Sequence, residues 1–134
     1  MAIILYIAPD LSISIIVMPE LKITDLSYLK QVSGGEPSFM KQMIQIFNEQ
    51  VPDFITNMEK HLADKNYIDL GKEAHKAKSS VIIVGMNGLG DKMKELQLLT
   101  EQNDGVEKYP EIVSEFKTMC LAAVEELTAY AEQL

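Results

Sequence analysis

Residues 67–88 read YIDLGKEAHKAKSSVIIVGMNG, and their spacing decides the fold. At about 100° per residue, Tyr67, Leu70, Ala74, Ala77, Val81 and Val84 fall within one arc of about 100°. That predicts a helix from Tyr67 to about Val84 with one core face, stopped at Gly85 and Asn87-Gly88. His75 lies roughly 80° beyond the edge of the arc, so its imidazole is expected at the surface. Gly71 and Ser79, one turn away on either side, are small and leave it unshielded. Lys72 and Lys78 flank it at three residues, and Ile68 and Ile82 share its azimuth two turns away. The apolar pair suits either packing against a neighbouring helix or a docking surface.

Outward from this helix the signals stay helical. Thr24 is a candidate cap for a short helix from about Asp25 to Ser33, ended by Gly34-Gly35. Pro37 stands near the first turn of a second helix, whose inward stripe is read as Phe39, Met43, Ile46, Phe47, Phe54, Met58 and Leu62. Pro52 should kink or split that helix near Gln50. A fourth helix covers roughly Leu89 to Gln102, with Met93, Leu96 and Leu99 or Thr100 inward, before the stop at Asn103-Asp104-Gly105. A fifth starts near Pro110 and buries Val113, Phe116, Cys120, Ala123, Leu127 and Ala131. The expected fold is all-α: an antiparallel four-helix bundle over residues 23–134, with the short extra N-terminal helix across one end.

Residues 1–22 form an apolar extension ahead of the bundle. Pro9 and Asp10 interrupt it and no Lys or Arg precedes its apolar part, which argues against a signal peptide or membrane anchor. Leu11 to Ile15 alternate with period two, the pattern of a short extended segment with one buried face. The extension is thus either an appendage packed on the domain or on a second chain, or a poorly ordered tail.

Composition narrows the function. The 134 residues carry 20 Asp or Glu against 12 Lys and no Arg, a net charge of -8. An acidic chain without Arg is poorly suited to neutralising nucleic-acid phosphates or anionic lipid. The single Cys, Cys120, cannot form an internal disulfide, which fits a reducing, cytoplasmic setting. No carboxylate–metal constellation or phosphate-binding loop is evident, and the Glu-x-x-His pairs of di-iron bundles are absent. His61, the other histidine, falls near a helix C-terminus and reads as a solvated residue or a cation there.

A neutral imidazole nitrogen is a nucleophile toward phosphoryl groups and holds them in a labile N–P bond. Lysines about 6 Å away would offset the added dianionic charge by roughly 1–3 kcal/mol each at an effective dielectric of about 20–40. The pattern therefore suits a carrier whose partner supplies the remaining chemistry.

These residues resemble the histidine-containing phosphotransfer (HPt) domains of bacterial multistep phosphorelays. The likeness centres on Ala74-His75-Lys76-Ala77-Lys78-Ser79-Ser80 with Gly85 beyond. It extends upstream through Leu26-Ser27-Tyr28-Leu29, Ser33-Gly34-Gly35 and the helix from Phe39 to Phe54. The resemblance implies that His75 is phosphorylated, taking the group from a receiver-domain Asp and passing it to another receiver domain, without autonomous catalysis. It further implies that Lys78, then Lys72, and the Ser79 hydroxyl steady the phosphoryl group, with Lys76 adding positive potential, and that Ile68, Gly71 and Ile82 dock the partner. The expected partners are response-regulator receiver domains and a hybrid sensor histidine kinase. No nucleic acid, membrane insertion, bound metal or cofactor is expected in this chain, the Mg²⁺ lying in the receiver. Two positions depart from the family pattern: Ser79 stands where Gly is common, which should modulate transfer, and Ala77 where a larger apolar residue is common, which should alter packing. The rival reading is a helical interaction module that docks a partner without phosphotransfer.

Overall fold

Glu36 sets the start of the longest helix. Its carboxylate accepts from the backbone N–H groups of Ser38 and Phe39, while Pro37 takes the first helical position, where a missing N–H costs nothing. In the computed structural model, which describes residues 2–7, 10, 13–18 and 20–134 (2–4, 6 and 13–18 by backbone alone), five α-helices follow a short hairpin. Strands β1 (Ala2–Ile7) and β2 (Ile13–Met18) pair antiparallel, with Ala2 opposite Met18 and Ile7 opposite Ile13. Then come α1 (Ser27–Ser33), α2 (Pro37–Ala63), α3 (Tyr67–Ile83), α4 (Asn87–Glu101) and α5 (Tyr109–Ala131), the last preceded by a 3₁₀ turn at Val106–Lys108. The fold is the expected helical bundle with a short additional helix at its N-terminal side. Each of α2 to α5 packs against its sequence neighbour, and α2 closes the ring against α5.

The extended reading at Ile13–Ile15 falls within β2, whereas Pro9, Leu11 and Ser12 lie outside the described residues. The strand at Ala2–Ile7 was not anticipated. Leu5 and Ile7 on it are exposed. No helix among the described residues is long and apolar enough to cross a membrane.

Helix α2 departs from the sequence reading in two ways. It does not split near Gln50 but continues through Pro52, because a proline removes a single ladder bond and Val51, Phe54 and Ile55 around it are buried. Its inward stripe in the first half is Met40, Ile44, Phe47 and Val51; Phe39 and Ile46 are exposed. The apolar residues of this half cover more than one face, so periodicity alone admitted two stripes. In α4 the buried choice between Leu99 and Thr100 is Thr100, at 2% exposure. In α5 the core face includes Ile112 and Tyr130 besides the expected residues, and Ala131 is half-buried. The core is pinned by edge-to-face pairs, Phe54 with Phe116 and Tyr67 with Tyr109. Tyr109 donates to the carbonyls of Leu99 and Asp104, holding the turn after α4.

The end of the bundle beside α1 is tied by polar contacts. Thr24 does not cap α1; the Asp25 carboxylate accepts from the N–H and hydroxyl of Ser27, which holds its pKa below the usual range. Thr24 is buried and donates its hydroxyl, at 2.6 Å, to the Glu126 carboxylate of α5. The N–H groups of Lys22, Ile23 and Thr24 converge on the same carboxylate. The Asp25 N–H donates to the Val84 carbonyl, and Gly85, at φ 80°, lies so close to Asp25 that a Cβ there would overlap the Asp25 backbone. Gly85 is therefore required both by its left-handed backbone and by this contact.

These bonds give a pH signature. Burial alone would raise the Glu126 pKa, but the hydrogen bonds from Thr24, Lys22 and Ile23 outweigh it and the net direction is down. A carboxyl depressed in the folded state contributes stability that is complete above its unfolded value, about 4.3, and is lost as pH falls through the folded value. Glu126→Gln should lower stability at neutral pH by about 2 kcal/mol and flatten the loss of stability below about pH 5, measured by urea unfolding across pH. An equally steep acid limb in the variant would assign that limb to other carboxylates.

Candidate functional site

The α3/α4 pair builds the site. Gly71 on α3 is buried, and a Cβ there would overlap the Thr100 hydroxyl on α4. Gly90 on α4 faces the Ile82 side chain in the same way, with an added Cβ only 2.9 Å from Ile82 Cγ1. Two missing methyl groups thus let the helix backbones approach. The Thr100 hydroxyl is turned back onto the Gln97 carbonyl at 2.8 Å, which satisfies it at the buried contact.

That approach carries Gln97 to His75. The imidazole is exposed, as its azimuth requires, and its Nδ1 lies 3.0 Å from Gln97 Oε1. Gln97 Nε2 donates to Glu101 Oε1, also at 3.0 Å. A carboxylate only accepts, so the Gln97 amide must turn its NH₂ to Glu101 and its oxygen to the ring. An amide oxygen also only accepts, so in the neutral ring this orientation goes with the proton on Nδ1. Nε2 is left with its lone pair and without a hydrogen-bond partner among the described residues.

The flanking residues are not equivalent. Burial spreads from the core arc toward α4, covering Gly71 and half-covering Lys78 and Ile82, while Ile68 is 68% exposed and Ser79 is exposed. His75 is unshielded beside Gly71, and the smallness of Gly71 has a second use, since Thr100 fills the place that a Cβ there would take. Lys72 sits 4.0 Å from Asp69 in an exposed pair worth about 0–1 kcal/mol, and the exposed Lys76 ammonium lies 3.9 Å from the buried Glu73 carboxylate. Lys78 has no ion-pair partner among the described residues. Glu73 is buried and accepts from Asn57 of α2, bracing α3 on the far side.

Beside His75 runs a groove of about 570 Å³ lined by residues of both helices, including Ile68, Lys72, Gln97 and Glu101. His61 is half-buried in the last turn of α2, away from this groove's lining. Cys120 is buried, its thiol pushed up to about 12 by desolvation, and so is no nucleophile. No metal-holding cluster of His, Cys, Asp or Glu occurs among the described residues.

A family model described as Hpt domain matches residues 42–133, more than half of the chain. The chain belongs to the Hpt-domain family. Hpt domains are histidine phosphotransfer modules of phosphorelays, carriers rather than catalytic domains, and they interact with receiver domains and histidine kinases. Neither curated proteins nor solved structures gave a match. The matched span holds α3, α4, the imidazole and the glycines of the Hpt bundle's closest helix contact.

Sequence reasoning on this Hpt chain placed His75 and its lysines but missed Gln97, Thr100 and Glu101. Their signal was the Gly85 to Gly88 turn: in an antiparallel helix pair, residues equidistant from Met86 face one another, as His75 with Gln97 and Ile82 with Gly90 do. Substitutions separate packing from surface. Gly71→Arg should cost more than about 2 kcal/mol by displacing Thr100, whereas Ile68→Arg should stay within about 0.5 kcal/mol of wild type in chemical denaturation. Equal stabilities would mean that the α3/α4 contact tolerates a side chain at 71.

Proposed function

We propose that the chain is a phosphoryl carrier that accepts a phosphoryl group on His75 Nε2 from the Asp of one receiver domain and passes it to another. The observation that carries this reading is the bond from His75 Nδ1 to Gln97, which leaves the outward nitrogen of an exposed imidazole as a ready nucleophile. The Nε2 lone pair attacks phosphorus as the P–O bond of the aspartyl phosphate breaks, its electron pair returning to the Asp carboxylate. The Nδ1 proton stays in place, so the phosphorylated ring is a cation bound to the Gln97 oxygen. Attack by a second receiver carboxylate reverses these steps and restores the neutral imidazole.

Charge and shape support the same reading. Lys78, with no carboxylate partner among the described residues, steadies the phosphoryl oxygens; the exposed ammonium groups of Lys72 and Lys76 add positive potential; and the exposed Ser79 hydroxyl donates a further hydrogen bond. Exposed Ile68, with the groove rim and half-buried Ile82, offers the receiver an apolar contact around the nucleophile. Gly71 acts in this face through the α3/α4 spacing rather than by direct docking. Attacking Asp and Mg²⁺ belong to the receiver domain, and the working compartment of such a relay is the bacterial cytoplasm, with a hybrid sensor histidine kinase upstream.

Incubation with a phosphorylated receiver domain and Mg²⁺ should place an acid-labile, base-stable phosphoryl group on the chain, and His75→Gln should abolish it. Lys78→Ala should slow transfer by about tenfold, equivalent to about 1.4 kcal/mol in the barrier, and Lys72→Ala by less. Label on the His75→Gln variant equal to wild type would refute the assignment and leave a docking module without phosphotransfer.

A further inference from the structure

Gln97 can serve His75 in either of two orientations, because its amide presents an acceptor on one side and donors on the other. With Oε1 toward the ring, Nδ1 is protonated and Nε2 is the nucleophile. With the NH₂ toward the ring, Nδ1 must accept, the proton moves to Nε2, and the outward nitrogen loses its lone pair. Gln97 by itself does not choose, so the choice must come from whatever holds the other end of the amide.

We infer that Glu101 is the positioning residue that selects the reactive tautomer of His75. Its carboxylate accepts from Gln97 Nε2 at 3.0 Å, one helical turn along α4. Both bonds have ordinary geometry, and a flipped amide would keep a bond to the retautomerised ring but lose the charge-assisted bond to Glu101 and set the Gln97 oxygen against that carboxylate. The preference therefore exceeds that of a single neutral hydrogen bond, although the residues are solvent-accessible. Glu101 touches neither the phosphoryl group nor the ring; it acts through Gln97. Thr100 beside it bonds the Gln97 backbone carbonyl in the same turn.

This inference rests on the phosphocarrier reading for its consequence, but its test does not. Nitrogen-15 NMR of imidazole-labelled protein, at a pH where the ring is neutral, reports which ring nitrogen bears the proton. Wild type should be predominantly Nδ1–H. In Glu101→Lys the introduced ammonium donates to the Gln97 oxygen, turns the NH₂ toward His75 and should invert the tautomer, with phosphoryl acceptance at least tenfold slower. Gln97→Glu combined with Glu101→Lys should restore Nδ1–H, since the carboxylate introduced at position 97 accepts from the ring and pairs with the ammonium introduced at position 101 at favourable helical spacing. A merely structural role for Glu101 predicts no inversion and no restoration. Glu101→Ala, which adds no charge, should leave a mixture of tautomers. An unchanged Nδ1–H signal in Glu101→Lys and in Glu101→Ala, with the circular dichroism of wild type, would overturn the inference. Failure of wild type to accept phosphate from any receiver would instead refute the carrier reading and leave the tautomer result standing.

Discussion

The site depends on how closely α3 and α4 approach. Gly71 against Thr100 and Gly90 against Ile82 remove the two side chains that would otherwise hold these backbones apart. Ala74 and Ala77 are fully buried on the core arc of α3. Because the helices are this close, a side chain of glutamine length on α4 reaches an imidazole on α3 that faces solvent. Hydrogen-bond direction then passes from Glu101 to Gln97 to Nδ1, and the reactive nitrogen depends on backbone spacing one and two turns away. A packing defect at Gly71 would reach the chemistry with no contact to the phosphoryl group.

The rest of the bundle keeps that seam rigid. α5 covers the core from the other side, and its Glu126 gathers three backbone N–H groups and a hydroxyl of the segment leading into α1. That segment is in turn bonded to the end of α3 at Val84, beside Gly85. Charge is distributed to match. The chain is acidic by eight units, yet the lysines at 72, 76 and 78 flank the imidazole, and the ammonium groups of Lys72 and Lys76, 4.0 and 3.9 Å from their carboxylates, stay exposed to an arriving dianion. Lysines without an arginine fork suit a group that must be held and then released.

Much of this was legible in the sequence, and the reasons for the rest are physical. The core arc of α3 and the exposure of His75 follow from a single clean period, so they were readable from spacing. In the first half of α2, Phe39, Met40, Met43, Ile44, Ile46 and Phe47 satisfy more than one stripe, and only packing against the neighbouring helices decides which is buried. A split at Pro52 stood open in the sequence because local propensity cannot weigh one lost bond against a buried face. Thr24 looked like a cap because its partner, Glu126, is remote in sequence. Gln97 and Glu101 carry no pattern of their own; their meaning appears only when α4 is folded back along α3.

The central claim is that Nε2 of His75 carries the phosphoryl group while Nδ1 keeps its proton on Gln97. The most direct measurement is phosphorus–nitrogen coupling in the NMR spectrum of the histidine-labelled, phosphorylated chain. The account predicts coupling to Nε2 with a protonated Nδ1. Coupling to Nδ1, or phosphate on any residue other than His75, would contradict it.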